Sequence, residues 1–224
     1  MKTTLSIALF LLGIVLLSCN KQDKTCPETV NKGDLNYTQN SFASIQTYLG
    51  KTTAIFRDSL NQEIIFSIVD RGDSIRPHLF AGTCESNPGQ RVFFDYNAKE
   101  RRIELRNDSL GTFFITLNTR LAFQSYEEYD YLSITNTVSN KSQVQQLTLL
   151  VDRKNVSENQ ANEINSNIVL EAEIQILGKL FSQAYGMKYP QEDNVVNKLY
   201  YNLEFGIISF KDMTKKTWVF DHSF

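Results

Sequence analysis

The chain is poor in histidine, cysteine and proline, and each scarcity narrows what it can do. Its 224 residues include 2 histidines, 3 cysteines and 4 prolines. The histidines, His78 and His222, are the only side chains with an ordinary pKa near neutrality, and neither adjoins a nucleophile-elbow sequence. Ser-His-Asp chemistry, which needs a base within hydrogen-bond reach of its nucleophile, therefore has little to stand on. Cys19, Cys26 and Cys84 show no metal-ligand spacing relative to either histidine, so no metal or cofactor is expected. Glycine-rich phosphate loops are absent. The formal net charge of -2 is spread over interspersed acids and bases, with no basic stripe, so nucleic acid is not an expected partner. Paired carboxylates exist at Glu127-Glu128 with Asp130, and at Glu171 with Glu173. The first set could support glycoside hydrolysis, but an alternating charged strand accounts for it better, and Glu171 and Glu173 read as the wet face of a strand. No catalytic residue is assigned.

What is present is concentrated first at the N-terminus. Lys2 supplies a positive start, Leu5 to Leu17 is an apolar run broken only by Ser6 and Gly13, and Leu16-Leu17-Ser18-Cys19 closes it. These are the parts of a secretory signal. The run is short for a bilayer core, which needs roughly 20 apolar residues. The ending resembles the bacterial lipobox, whose cleavage leaves a lipidated cysteine. The resemblance implies a signal peptide over 1–18 and an acyl anchor on Cys19. Each buried CH₂ of that anchor contributes about 0.8 kcal/mol.

With Cys19 committed to lipid, Cys26 and Cys84 form an even pair in an oxidising compartment. A disulfide between them would contribute about 4 kcal/mol in the chain-entropy model. The alternative is two unpaired thiols. Residues 19–37 are polar and read as a flexible tether. Residues 38–224 then make one β-rich extracytoplasmic domain.

Within that domain Phe42, Ile45 and Leu49 are spaced for a short helix, with Asn40 or Ser41 as cap and Gly50 as stop; the alternative is a short strand leading to Tyr48. From Lys51 onward the period is two. Strands are expected around Thr53 to Arg57, Ile64 to Val69, Leu79 to Cys84, Arg91 to Tyr96, Arg102 to Arg106, Thr112 to Leu117, Leu121 to Ser125, Tyr129 to Thr137 and Val144 to Val151. Turns are expected at Asp58 to Gln62, Arg71 to Ser74, Glu85 to Gln90, Asn97 to Glu100 and Asn107 to Gly111. Arg71-Gly72-Asp73 spells an integrin tripeptide, though Gly and Asp are ordinary turn residues. Asn155 to Asn167 reads as a loop. Ile168 to Tyr185 fits helix or strand and is taken as two strands kinked at Gly178. Val196 to Leu203, Phe205 to Lys211 and Lys216 to Phe220 close the chain, with Tyr201, Phe210 and Trp218 packing across strands. The fold class expected is all-β, an antiparallel meander forming a strongly curved sheet or sandwich.

The closing stretch from Leu199-Tyr200-Tyr201 through Phe205-Gly206-Ile207-Ile208-Ser209-Phe210, followed by Thr217-Trp218, resembles the C-terminal motif of uncharacterised Bacteroidota lipoproteins. Tyr48-Leu49-Gly50 through Phe56-Arg57-Asp58-Ser59 is similar to an early segment of the same group. Leu203 stands where that group more usually has a charge. The resemblance implies an outer-membrane address, on the periplasmic or the surface side, and no established activity. It also implies O-glycosylation at Asp-Ser followed by an aliphatic residue, which makes Ser59, Ser74 and Ser109 candidates. The expected role is non-catalytic, structural or interactive, with an unknown protein, lipid or glycan partner. A lipid- or glycan-binding domain presenting Tyr129, Tyr131, Tyr200 and Tyr201 is the alternative, and a hydrolase the third.

Overall fold

Period-two alternation governs almost the whole backbone. The computed structural model describes residues 26–84, 86–122, 126–137, 144–188, 196–212 and 214–224. The expected signal peptide, Cys19 and the first part of the tether lie outside them. Among the described residues there are twelve strands: β1 (Thr29–Leu35), β2 (Thr53–Arg57), β3 (Glu63–Thr83), β4 (Arg91–Asn107), β5 (Gly111–Leu121), β6 (Glu128–Thr137), β7 (Val144–Asp152), β8 (Ile168–Ile176), β9 (Lys179–Met187), β10 (Val196–Asn202), β11 (Gly206–Asp212) and β12 (Thr217–Ser223). Two short α-helices, α1 (Gln39–Ala43) and α2 (Glu158–Ile164), and a 3₁₀ turn at Gln46–Tyr48 accompany the sheet among the described residues. The strands form one sheet in the order β7-β6-β5-β4-β3-β2-β12-β11-β10-β9-β8, and β1 adds to β4 in parallel. The expected all-β antiparallel meander with a strongly curved sheet is thus what forms. The curl brings β7 close to β8 and β9, so the sheet is nearly a barrel, with no ladder between those edges among the described residues.

The main core fills the inside of the curl. Ile103 and Leu105 of β4, Phe113, Ile115 and Leu117 of β5, Leu132 and Ile134 of β6, and Leu147 and Leu149 of β7 point inward on alternate positions. Burying each such side chain stabilises by about 1.5–3 kcal/mol. Phe56, Phe66, Phe113 and Phe210 pack mainly edge-to-face, Phe56 and Phe210 at 5.2 Å between centroids. Tyr201, Phe210 and Trp218 all join this core, with Phe210 directly opposite Trp218. Ile45 and Tyr48 enter it from the segment after α1. There the Tyr48 hydroxyl accepts a bond from the Ile207 amide, and the Tyr201 hydroxyl donates to the Ser44 carbonyl, both at 2.6 Å.

Two smaller clusters lie apart from that core. Val92, Phe94, Tyr96 and Ala98 of β4 pack with Leu35, Cys84, Leu121 and Tyr126. Phe181 and Ala184 of β9 cover Ile208 and Val219, whose chain neighbours Ile207 and Trp218 point into the main core.

Several boundaries differ from the sequence reading. Arg71 to Ser74 is not a turn but a bulge inside the 21-residue strand β3, where pairing to β4 shifts between Asp70 and Asp73 and Gly72 takes φ +70°. A bulge uses the same residues as a turn but lets the strand continue. Asn97 to Glu100 likewise runs through β4 as paired strand. β5 is continuous to Leu121, and residues 123–125 of the next expected strand lie outside the described ones. The tether does not reach residue 37, because Thr29–Leu35 pairs with β4 despite its low hydrophobicity. Asn155 to Asn167 is not all loop: it contains α2, capped by Ser157, whose hydroxyl accepts from the Gln160 amide. The expected short helix forms only in part: α1 ends at Ala43, short of Ile45 and Leu49, a separate 3₁₀ turn covers Gln46–Tyr48, and the cap of α1 is Thr38 rather than Asn40 or Ser41. Ile168 to Tyr185 makes two strands, joined at Leu177 and Gly178 by a tight hairpin with positive φ at both rather than by a kink.

Candidate functional site

Cys26 and Cys84 are bonded, with 5.9 Å between their Cα atoms. Local geometry prepares the pair. The Cys84 amide donates to the Gln90 carbonyl, closing the expected turn, and the Gln90 side-chain amide donates to the Cys26 carbonyl at 2.9 Å. A cleft of about 450 Å³ opens beside the disulfide, lined by Val30, Thr83, Val92, Phe94 and Tyr126 with Lys32 over the Phe94 ring. The Tyr126 ring packs so closely that a Cβ on Gly82 would overlap it.

The three candidate serines fall in different settings. Ser59 and Ser109 are exposed in turns between strands. Ser74 is exposed too, but it lies within β3 opposite Glu100, not in a turn. Asp58, which precedes Ser59, is buried and accepts from the Leu60 and Gln62 amides while pairing with Lys216 at 3.0 Å.

The four tyrosines proposed as a binding surface do not form an exposed row. Tyr201 is fully buried and Tyr131 nearly so, while Tyr129 and Tyr200 are half-buried. Burial pushes the Tyr131 hydroxyl up to about 12. The paired carboxylates are structural as well. Asp130, at 0% exposure, accepts from Thr38, Ser41 and Thr119 and meets Lys154 at 3.1 Å. Glu173 is exposed on β8 and Glu171 half-buried, as a wet strand face requires. Among the described residues no cluster of three or more metal-binding side chains occurs, and no helix is long and apolar enough to cross a membrane. His222 bonds Asp221 at 2.7 Å, and neither histidine is hydrogen-bonded to a serine among the described residues.

His78 belongs to a different arrangement, which no local pattern of residues announces. A cleft of about 250 Å³ lies between β3, β4, β5 and β6, lined by His78, Leu79, Phe80, Tyr96, Arg120, Leu121 and Tyr129. His78 stands opposite Tyr96, their rings stacked at 5.2 Å, and Arg120 stands opposite Tyr129. The Arg120 guanidinium lies 4.7 Å from the centre of the Tyr131 ring. Burial, reinforced by the Arg120 charge, holds the His78 imidazole below its ordinary value, with Glu100 opposing and Arg76 adding to the depression. Burial also raises the Tyr96 and Tyr129 hydroxyls. At neutral pH the cleft therefore carries neutral rings around one cation.

No family model, curated protein or solved structure matches the chain. What the clefts can do is thus read from their own chemistry. The disulfide cleft offers apolar contact with a cationic rim. The His78 cleft offers aromatic faces and a guanidinium. Among the described residues neither brings a nucleophile together with a base.

Proposed function

We propose that this chain is a lipid-anchored envelope protein of the Bacteroidota type, held at the outer membrane through Cys19, with a non-catalytic structural or interaction role. The observation that carries the reading is the Cys26–Cys84 disulfide following closely on the lipobox cysteine. Structural disulfides persist in oxidising compartments and are rare in the cytosol. A cysteine pair placed there fits a domain fastened to its tether soon after export. Mechanically, the bond passes any pull on the anchor directly into the β3–β4 hairpin rather than through the edge of β1.

Metabolic labelling of the full-length chain with an alkyne fatty acid tests this. Wild type should take the label and sediment with membranes, and Cys19→Ala should lose both properties. Label retained by Cys19→Ala would overturn the anchor. Protease treatment of intact cells then separates the surface side from the periplasmic side. The intact mass of the same preparation reports whether Ser59, Ser74 or Ser109 carries a glycan.

A second reading, a lipid- or glycan-binding β domain, is favoured by the two open clefts. It places recognition on the flank of the sheet around β3, β4 and β5 rather than on an exposed aromatic row.

A further inference from the structure

The Arg120 cation has no ion-pair partner among the described residues, as Arg102 has none over the Phe114 ring, whereas several arginines of β2 to β4 are ion-paired. Arg101 bonds Asp70 and Asp73, Arg71 and Arg106 share Glu104, and Arg57 meets Glu63 and Asp221. Among the described residues no carboxylate lies within ion-pair distance of Arg120. The acid that acts electrostatically on this region, Glu100, is already engaged: Arg76 holds one oxygen at 3.1 Å and the Asn118 amide holds the other at 3.2 Å. Arg120 is itself exposed and lies over the Tyr131 ring. Beside it, His78 Nε2 is buried and takes no hydrogen bond from the protein. A guanidinium without a counter-ion, the His78 ring and two tyrosines therefore line one half-open cleft.

We propose that this cleft binds a six-membered ring bearing a carboxylate, the carboxylate meeting the Arg120 guanidinium and the ring lying against Tyr129 and Tyr96. Arginine pairs with carboxylates through two parallel hydrogen bonds, which fixes orientation as well as charge. Aromatic faces accept flat or puckered rings through their apolar surfaces. A volume of about 250 Å³ suits one such ring rather than an extended chain. Two sources share this chemistry, a uronic-acid sugar and an aromatic acid. The site would refine the ligand-binding reading, and it does not depend on whether Cys19 is lipidated.

Calorimetric titration of the full-length protein at low ionic strength separates the outcomes. The probes are sodium glucuronate, glucose and sodium benzoate. At least one acid should bind saturably while glucose does not. Binding of glucuronate without benzoate assigns the sugar source, and the reverse assigns the aromatic one. Arg120→Gln should weaken the acid about tenfold or more, as loss of a charge-assisted pair does, while Arg120→Lys recovers part of the affinity through charge alone. Arg91→Gln, at an exposed position away from the cleft, should leave it unchanged. Thermal unfolding shows whether each variant remains folded. Failure of both acids to bind wild type, or equal affinity in folded Arg120→Gln, would overturn the proposal. Either result leaves the fatty-acid label on Cys19 untouched, so the two readings fail separately.

Discussion

At the scale of single residues, Gly206 shows how a short motif can be structural. It sits at φ +80°, a region that side chains rarely enter, and a Cβ there would overlap the Tyr48 hydroxyl. That hydroxyl must come close, because it is the partner of the buried Ile207 amide. Gly206→Ala combines backbone strain with a clash against a buried ring, and should lower stability by about 3 kcal/mol in chemical denaturation. Tyr48→Phe should leave the Ile207 amide unpaired, at a cost of about 1–3 kcal/mol, and would not rescue Gly206→Ala, since the ring carbon Cζ would still overlap the added Cβ. A Gly206→Ala variant as stable as wild type would disprove this account. Asp212 works in the same local way. Burial favours its neutral form, but bonds from Thr214, Trp218 Nε1 and the Lys216 and Thr214 amides outweigh that and hold its carboxyl below the usual range.

Among elements, the hairpins were the most legible and the long strands the least. Asp58, Asn107, Asn202 and Asp212 each accept amide bonds from residues two or more positions on, so each begins its turn by itself. Such signals are local, which is why the last three strands fall within a few residues of expectation. Arg71 to Ser74 carries similar residues, yet β4 runs alongside and converts the turn into a bulge. The disulfide also acts at this scale. It ties the start of β1 to the end of β3, and β1 exposes most of its side chains, with Leu35 its one buried residue. Replacing Cys26 and Cys84 by Ser should lower the stability of the whole domain, by up to about 4 kcal/mol in the chain-entropy model. It should also raise amide exchange in β1 more than in β5. Equal exchange in both strands would mean that the bond is dispensable for β1.

For the whole molecule, the decisive contact is between strands far apart in the chain. β2 pairs with β12, Phe56 opposite Phe220, which joins the two halves into one sheet. Its outer cluster is fastened by Lys179, which reaches from the β8–β9 hairpin to the Phe220 carbonyl and Asp221 at 2.9 Å. On the other edge, Asn165 at the end of α2 accepts from the Leu150 amide and blunts β7. Several of these tying groups are carboxylates held below their ordinary range: Asp58, Asp73, Glu104, Asp212 and Asp221. For such groups the stabilisation is complete above the unfolded pKa of about 4 and is lost as pH falls through the lower folded value. His78 adds an earlier loss with the same sign. Its depressed value means the unfolded chain binds a proton first, so stability falls as pH drops below about 6.5. Urea midpoints should therefore decline gently from pH 7 to 5 and steeply below 4. His78→Gln should remove part of the first decline. A flat profile down to pH 3 would contradict this assignment.

The sequence alone determined the all-β class, the turns headed by Asp and Asn, the final hairpins and the cysteine pair available for bonding, because alternation, turn chemistry and cysteine parity are properties of neighbouring residues or simple counts. It also carried the lipobox pattern, on which the proposed anchor rests. Tertiary structure alone decided which strands are neighbours, that β3 and β4 run unbroken past their apparent turns, and that a polar stretch becomes β1. It likewise made Asp130 a buried hub and gathered His78, Tyr96, Arg120 and Tyr129 around one cleft. The physical reason is that a strand's alternation fixes which faces it presents but not its partner. A cleft built from four strands exists only once their register is set.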